Sequence, residues 1–166
     1  MSPGRGVVVA EARGGEPVAV VNLMGSLFLD VATGPFELID DLVEEASAAA
    51  RVILVDFHAE ATSEKVAMGR HLAGKATAVL GTHTHVQTND ASLWEGTAYL
   101  TDCGMTGPHD SVIGVRTEIA LRRFLTQLPA RSEPALGDVR IEGALVECDA
   151  ATGRATSCEA VRVSLP

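Results

Sequence analysis

Three of the five histidines in the chain follow predicted strands: His58 comes after one apolar run, and His83 and His85 come after the next. Ligands of open α/β sheets bind beyond the carboxyl ends of the strands, so these rings are expected at one edge of a sheet. On extended chain, His-x-His puts both imidazoles on the same side, and a neighbouring strand end can bring a third ring to the same ion. Imidazole suits zinc, iron, manganese or nickel better than magnesium or calcium. The spacing predicts a metal site, but it equally allows three ordinary polar loop residues.

Four carboxylates lie near predicted strand ends. Asp56 precedes His58 by two residues and shares its strand face, and Glu60, Asp90 and Asp102 follow strands or adjoin them. Each is a candidate metal ligand or a candidate acceptor for an imidazole N–H. For any single one of them, a structural role is the commoner outcome.

The loop that follows the predicted strand 96–101 offers two further kinds of chemistry. The segment Asp102–Pro108 contains glycines that let backbone N–H groups approach a phosphate, although ordinary turns need glycines too. Cys103 is a candidate nucleophile if a histidine activates it, but no activating pattern accompanies it. Neither interpretation has a specific motif behind it.

The elements that must position these residues alternate between strands and helices. Apolar runs of four or five residues indicate buried strands, and three- and four-residue spacing indicates amphipathic helices. The predicted elements are strands 7–12 and 18–23, helix 35–50, strand 52–55, helix 62–72, strands 76–80 and 96–101, helix 117–128, and strands 139–149 and 158–165. This order predicts an α/β layered domain that ends in an antiparallel hairpin.

Charge and composition exclude several classes of protein. The 166 residues include 13 Lys+Arg and 22 Asp+Glu, which gives a formal net charge of −9. That sign argues against a nucleic-acid polymer or an anionic membrane as a partner held by bulk charge. No apolar stretch approaches the ~20 residues of a membrane helix, so a cytoplasmic protein is expected. The three cysteines show no C-x-x-C spacing and predict no cysteine zinc site.

Three blocks of the sequence carry a family resemblance: Asp56–Lys65, Gly81–Thr88 and Thr101–Pro108. In this order they resemble the YmdB-like metallophosphoesterases, a branch of the calcineurin-like phosphoesterase superfamily. The resemblance implies part of a four-layer α/β/β/α sandwich and a two-metal phosphodiesterase that acts on 2′,3′-cyclic or related nucleotide phosphates. It also implies that His58 and His83 are ligands of one metal and that His85 is a ligand of the other.

The chain departs from the family in one respect. The resemblance implies an Asp near the first strand, a bridging carboxylate and a proton-donating His, and none of these has a counterpart here, so no catalytic residue is assigned. Two adjacent divalent ions need bridging anions, which neutral imidazoles do not supply. We therefore expect residues 1–166 to be one incomplete domain, the C-terminal part of a longer protein. It should bind at most one iron, manganese or zinc ion and be inactive or impaired alone.

Incompleteness also predicts a partner. Without an N-terminal segment, the apolar runs 52–55 and 76–80 should lose their covering strands, so we expect self-association or binding of the missing segment. The expected substrate is a small phosphodiester or cyclic nucleotide. Two other functions stay open: a non-catalytic binding or assembly module that retains the fold, and a mononuclear three-histidine zinc hydrolase with an open water position.

Overall fold

The computed structural model describes residues 5–165, which form strands and helices in alternation through the middle of the chain. The elements are β1 (Val7–Glu11), β2 (Pro17–Met24), α1 (Pro35–Ala49), β3 (Val52–His58), α2 (Thr62–His71), β4 (Ala78–Thr82), β5 (Ser92–Trp94), β6 (Thr97–Leu100), β7 (Gly107–Pro108), α3 (Thr117–Thr126), β8 (Val139–Cys148) and β9 (Ala155–Ser164). This confirms the predicted mixed α/β class with a C-terminal antiparallel hairpin.

The larger sheet has the strand order β1-β2-β3-β4-β6-β5. Strands β2, β3, β4 and β6 are parallel, and antiparallel β1 and β5 form the two edges. The parallel register pairs Met24 with His58 and His58 with Thr82. The carboxyl ends of β3 and β4 therefore meet at one edge of the sheet, with His83 one residue further on.

One face of this sheet is covered by helices. Helix α1 has proline at its first position, where no N–H is needed, and it buries Ile39, Val43 and Ala46 at three- and four-residue spacing. These side chains join Phe57 of β3 and Met68 of α2 in the main core. Fully burying an apolar side chain of this kind contributes about 1.5–3 kcal/mol, so this face holds the sheet and helices together.

The opposite face is covered by the C-terminal hairpin, which forms a second sheet in the order β7-β8-β9. Ala155 of β9 packs against Ala78 and Ala98, with Leu54 and Leu80 around them. The expectation that runs 52–55 and 76–80 lose their cover was therefore wrong: their residues are buried or half-buried, because helices and hairpin enclose both faces.

The hairpin is attached to both ends of the larger sheet. At the amino end, the Thr77 hydroxyl donates to the carbonyl of Gly153 in the hairpin turn at 2.6 Å and accepts the Ile53 N–H at 3.0 Å. At the carboxyl end, the Gln87 amide donates to the carbonyls of Gly143 and Val161 at 3.1 and 2.9 Å. The second sheet thus spans the length of the first.

Several element boundaries differ from the sequence predictions. The short strands β5 and β7 were missed because two or three residues carry no periodicity, and β5 is held by stacking of Trp94 on Tyr99 at 4.1 Å between ring centroids. Strand β9 begins at Ala155 instead of Cys158, and His58 is the last residue of β3 instead of lying beyond it.

Across residues 5–165, none of the helices combines the length and the apolar character needed to cross a bilayer.

Candidate metal centre

His58 and His83 come together at the carboxyl edge of the larger sheet. His58 Nε2 lies 2.9 Å from His83 Nδ1. The two rings are nearly perpendicular, with an interplanar angle of 87° and centroids 4.7 Å apart. Both rings are half-buried, so their contact is part of the packed edge that β3 and β4 form.

Hydrogen bonds around His58 determine which of its nitrogens carries the proton. The Thr82 hydroxyl lies 3.0 Å from Asp56 Oδ1 and donates its only proton to that carboxylate, which can only accept. His58 Nδ1 lies 3.2 Å from the same hydroxyl oxygen and must therefore be the donor in that contact. A neutral His58 consequently has its lone pair on Nε2, the atom that faces His83.

The other histidine is oriented in the same way by a carboxylate. His83 Nε2 lies 2.8 Å from Glu60 Oε2, within ion-pair distance of that carboxylate. A carboxylate beside Nε2 favours the neutral tautomer with its proton on Nε2 and its lone pair on Nδ1, the atom that faces His58. Carboxylates that accept the outer N–H of a metal-binding histidine fix the ring in this manner in known metal sites.

The two facing nitrogens could hold a cation. Two lone pairs 2.9 Å apart repel each other when both rings are neutral, and a shared proton or metal ion makes the contact favourable. Zinc binds imidazole nitrogen at about 2.0–2.1 Å, so two such nitrogens on one tetrahedral ion lie about 3.3 Å apart, a few tenths of an ångström more than in this pair. The pair therefore fits a metal ion. Within residues 5–165, however, no group of three or more His, Cys, Asp or Glu side chains converges in a metal-binding arrangement.

His85 does not join the other two rings in this contact. Strand β4 ends at Thr82, and His83 and His85 both have positive φ angles, 106° and 65°. The expectation of extended chain through His-x-His was therefore wrong, because the backbone turns at each histidine, although both line the same cleft. His85 is exposed, and its Nδ1 lies 3.4 Å from the carbonyl oxygen of Ile113. Such conformations cost about 1–3 kcal/mol each and cluster at functional sites.

An open cleft of about 380 Å³ adjoins the histidines. Its walls include all three histidines and the segment 104–108. The backbone amide of Gly104 donates to Asp102 Oδ1 at 2.9 Å, and that of Met105 donates to Glu142 Oε2 at 3.3 Å. These two amides are already bonded to carboxylates, so they do not form the phosphate cradle that the glycines suggested.

The cysteine beside this cleft is not an activated nucleophile. Burial, together with the nearby negative charge of Asp102, raises the pKa of the Cys103 thiol to about 11. A reactive cysteine needs the opposite shift, toward the thiolate. The structure therefore gives the nucleophilic-cysteine interpretation no support.

Asp102 forms a buried ion pair with Lys65. Lys65 Nζ lies 2.7 Å from Asp102 Oδ2, and each side chain is 1% exposed. Burial alone raises the pKa of Asp102, but hydrogen bonds from Lys65 and from the amides of Gly104 and Thr84 outweigh it and hold the pKa below its usual value. Sequence reasoning missed Lys65, although its spacing from Met68 and Leu72 places all three on the buried helix face.

The four candidate carboxylates thus have different roles. Glu60 contacts His83 directly, and Asp56 acts on His58 through Thr82. Asp90 is bonded to the backbone and hydroxyl of Thr101, which is a structural contact. Asp102 contacts neither His58 nor His83 directly.

A mostly parallel sheet with histidines at its carboxyl edge is typical of α/β proteins, whose ligands bind beyond the strand ends. Residues 1–161 match the family of YmdB-like proteins. The chain therefore belongs to the YmdB-like family.

Three comparisons describe its relatives. The chain is 44% identical over 164 residues to the 2′,3′-cyclic-nucleotide 2′-phosphodiesterase of Bacillus subtilis, covering 98% of this chain and 62% of that protein. A crystal structure of a hypothetical protein from Thermus thermophilus matches with a TM-score of 0.91 and 43% identity, over 99% of this chain and 64% of that one. A crystal structure of a novel phosphatase from Mycoplasma pneumoniae matches with a TM-score of 0.86 and 33% identity, over 97% and 58%. The chain thus spans less than two thirds of each relative.

Proposed function

We propose that this chain supplies the histidine part of the metal centre of a metal-dependent phosphodiesterase that acts on 2′,3′-cyclic nucleotides or related small phosphodiesters. The observation that carries this proposal is the approach of His58 Nε2 to His83 Nδ1, 2.9 Å apart. The name of the Bacillus subtilis relative supports the substrate class.

The residues have separate tasks in this proposal. His58 and His83 would hold one divalent ion (iron, manganese or zinc), and Thr82 and Glu60 keep their lone pairs aimed at it. His85, on the wall of the same cleft, would serve a second ion. When bound, the metal polarises a phosphoryl oxygen and lowers the pKa of water to about 7.

The centre also needs ligands that residues 5–165 do not bring to the pair. Two divalent ions close together require bridging anions, whereas the converging donors here are neutral imidazoles. We propose that the carboxylates come from a further polypeptide segment, which would complete one domain with a four-layer α/β/β/α sandwich. On this proposal the chain alone binds at most one ion and is inactive or impaired. The cytoplasmic location stays a prediction.

Metal titration tests the site directly. We expect the full chain to bind about one equivalent of Co²⁺, with a visible absorption spectrum typical of imidazole ligands. His58→Ala and His83→Ala should each abolish this binding, because each removes one of the two convergent nitrogens. His71→Ala is the matched control, since that ring is bonded to Asp40 instead. Absence of Co²⁺ binding by the unaltered chain, or equal loss in all three variants, would contradict the proposal.

Activity tests the need for further ligands. With Mn²⁺ or Fe²⁺, the chain alone should hydrolyse 2′,3′-cAMP and bis-p-nitrophenyl phosphate poorly or not at all. Addition of the part of the Bacillus subtilis relative that lies outside the matched region should restore turnover. Full activity of the chain alone would overturn the proposed incompleteness, whereas a complex without turnover would favour an assembly module.

A mononuclear three-histidine zinc hydrolase receives less support. That function requires His85 on the same ion as the other two rings. In the structure, His85 Nδ1 instead lies 3.4 Å from the Ile113 carbonyl oxygen.

A further inference from the structure

The Asp102 carboxylate accepts hydrogen bonds from three residues, and one of them lies in the segment that carries His83 and His85. Its Oδ2 accepts the Lys65 ammonium at 2.7 Å and the Thr84 amide at 3.0 Å. Its Oδ1 accepts the Gly104 amide at 2.9 Å. Thr84 is the residue between His83 and His85, so this buried carboxylate is hydrogen-bonded to the middle residue of the His-x-His sequence.

The backbone of Asp102 holds the far end of the same segment. The Thr88 N–H donates to the Asp102 carbonyl oxygen at 3.1 Å, and the Asp102 N–H donates to the Thr88 hydroxyl at 3.0 Å. Residues 84–88 thus form a loop whose two ends are both hydrogen-bonded to Asp102, which lies just beyond the end of the neighbouring strand β6. His85 lies inside this loop, and His83 directly precedes it.

The histidines need such an anchor because their backbone conformations are unfavourable. Both have φ angles in the left-handed region, which residues with a Cβ rarely adopt. A segment of this kind keeps its conformation only when surrounding contacts over-determine it. The hydrogen bond from the Thr84 N–H to Asp102 lies between the two strained residues and opposes relaxation of either.

We propose that Asp102 is a positioning residue, which acts through Thr84 to hold His83 and His85 in the conformation that the metal centre requires. This inference rests on the proposed function, because that function gives the conformation of the histidines its purpose. The conformational role of Asp102 itself does not depend on a metal. Lys65 neutralises the charge of Asp102 in the interior, so the carboxylate can remain buried and accept the amides of Thr84 and Gly104.

The test measures the loop and the metal site separately in the full chain. Amide hydrogen exchange by NMR reports the loop: the Thr84 amide should be protected, and Asp102→Asn should raise its exchange at least tenfold. The variant's NH₂ group faces either the Thr84 N–H or the Gly104 N–H, and even where its oxygen still accepts from Thr84, a neutral amide is a weaker acceptor than the carboxylate. Co²⁺ affinity reports the site, and it should fall at least tenfold in the same variant, with an altered absorption spectrum.

Thr77→Val is the control for a simple loss of stability. It removes a buried, hydrogen-bonded hydroxyl at the opposite end of the sheet. At a temperature where both variants are folded, it should leave Thr84 exchange and Co²⁺ affinity within threefold of the unaltered chain. Equal effects of the two variants would mean that Asp102 supports only general stability, and the inference would be overturned.

Each remaining outcome also decides the question. Rapid exchange of the Thr84 amide in the unaltered chain would overturn the inference even if Asp102→Asn does not fold. If Asp102→Asn speeds exchange but leaves Co²⁺ affinity unchanged, the loop is held without serving the site, and the inference again is wrong. If the unaltered chain binds no Co²⁺, the proposed function is wrong, and the exchange measurements still decide whether Asp102 holds the loop.

Discussion

The Thr82 hydroxyl donates to Asp56 Oδ1 at 3.0 Å, so His58 Nδ1 must donate its own proton to the Thr82 hydroxyl oxygen. One hydroxyl group thus determines which nitrogen of a neighbouring ring is free to bind a cation. The Asn22 amide holds the other oxygen of Asp56 at 2.8 Å, so the carboxylate is fixed from both sides.

Thr82→Val should weaken metal binding without removing a ligand. Valine has nearly the same shape but no hydroxyl, so His58 can adopt the tautomer with its proton on Nε2. Loss of such an outer partner typically costs about 10–100-fold in metal affinity, and we expect a Co²⁺ titration to show a decrease of that size. Thr126→Val on α3 makes the same chemical change at an exposed position and should leave the affinity unchanged. Unchanged affinity in Thr82→Val would contradict the tautomer argument.

Lys65→Met should destabilise the fold strongly. It leaves Asp102 charged and buried without its ammonium partner, which typically costs about 3–5 kcal/mol. Urea unfolding followed by circular dichroism measures the loss. The matched control is Lys75→Met, because the Lys75–Asp40 pair is 49% and 58% exposed and such surface pairs contribute about 0–1 kcal/mol. Similar losses in the two variants would show that burial does not strengthen the Lys65 pair.

Acid should destabilise the protein partly through Asp102. Its pKa in the folded protein lies below the ordinary value, so as pH falls the unfolded chain binds the proton first. The stabilisation is therefore complete well above about pH 4 and is lost as pH drops through the folded pKa. Urea unfolding between pH 7 and pH 3 should show this decline, with a smaller slope in Asp102→Asn. An identical slope in the variant would assign the acid sensitivity to other carboxylates.

Gly81→Ala should disrupt the sheet immediately before the His83–His85 segment. A Cβ at Gly81 would overlap the backbone carbonyl of Thr101, which a rotamer change cannot relieve. We expect a loss of about 1–3 kcal/mol or more, measured by thermal unfolding. Gly143→Ala is the control, because that position in β8 has open space around the added methyl group. It should be neutral or slightly stabilising, and equal losses would argue against a close approach at Gly81.

The meeting of His58 and His83 could be predicted from the sequence because it depends only on two apolar runs ending at one edge of a parallel sheet. The fold class followed from the same periodicities. The position of His85 could not be predicted, since alternation along extended chain fails once the backbone turns at positive φ. The charge partner of Asp102 was missed because Lys65 interrupts an apolar helix face, and only the fold shows which anion it meets.

The attachment of the C-terminal hairpin at Thr77 and at Gln87 has a mechanical consequence. Displacement of one sheet along the other would break hydrogen bonds at both ends at once, so relative sliding is strongly opposed. Gly107 and Pro108, which line the cleft, pair with Arg140 and Val139 of the hairpin. The gap between the imidazoles and the opposite wall is consequently set by the spacing of the two sheets, and we expect the cleft to keep a constant width.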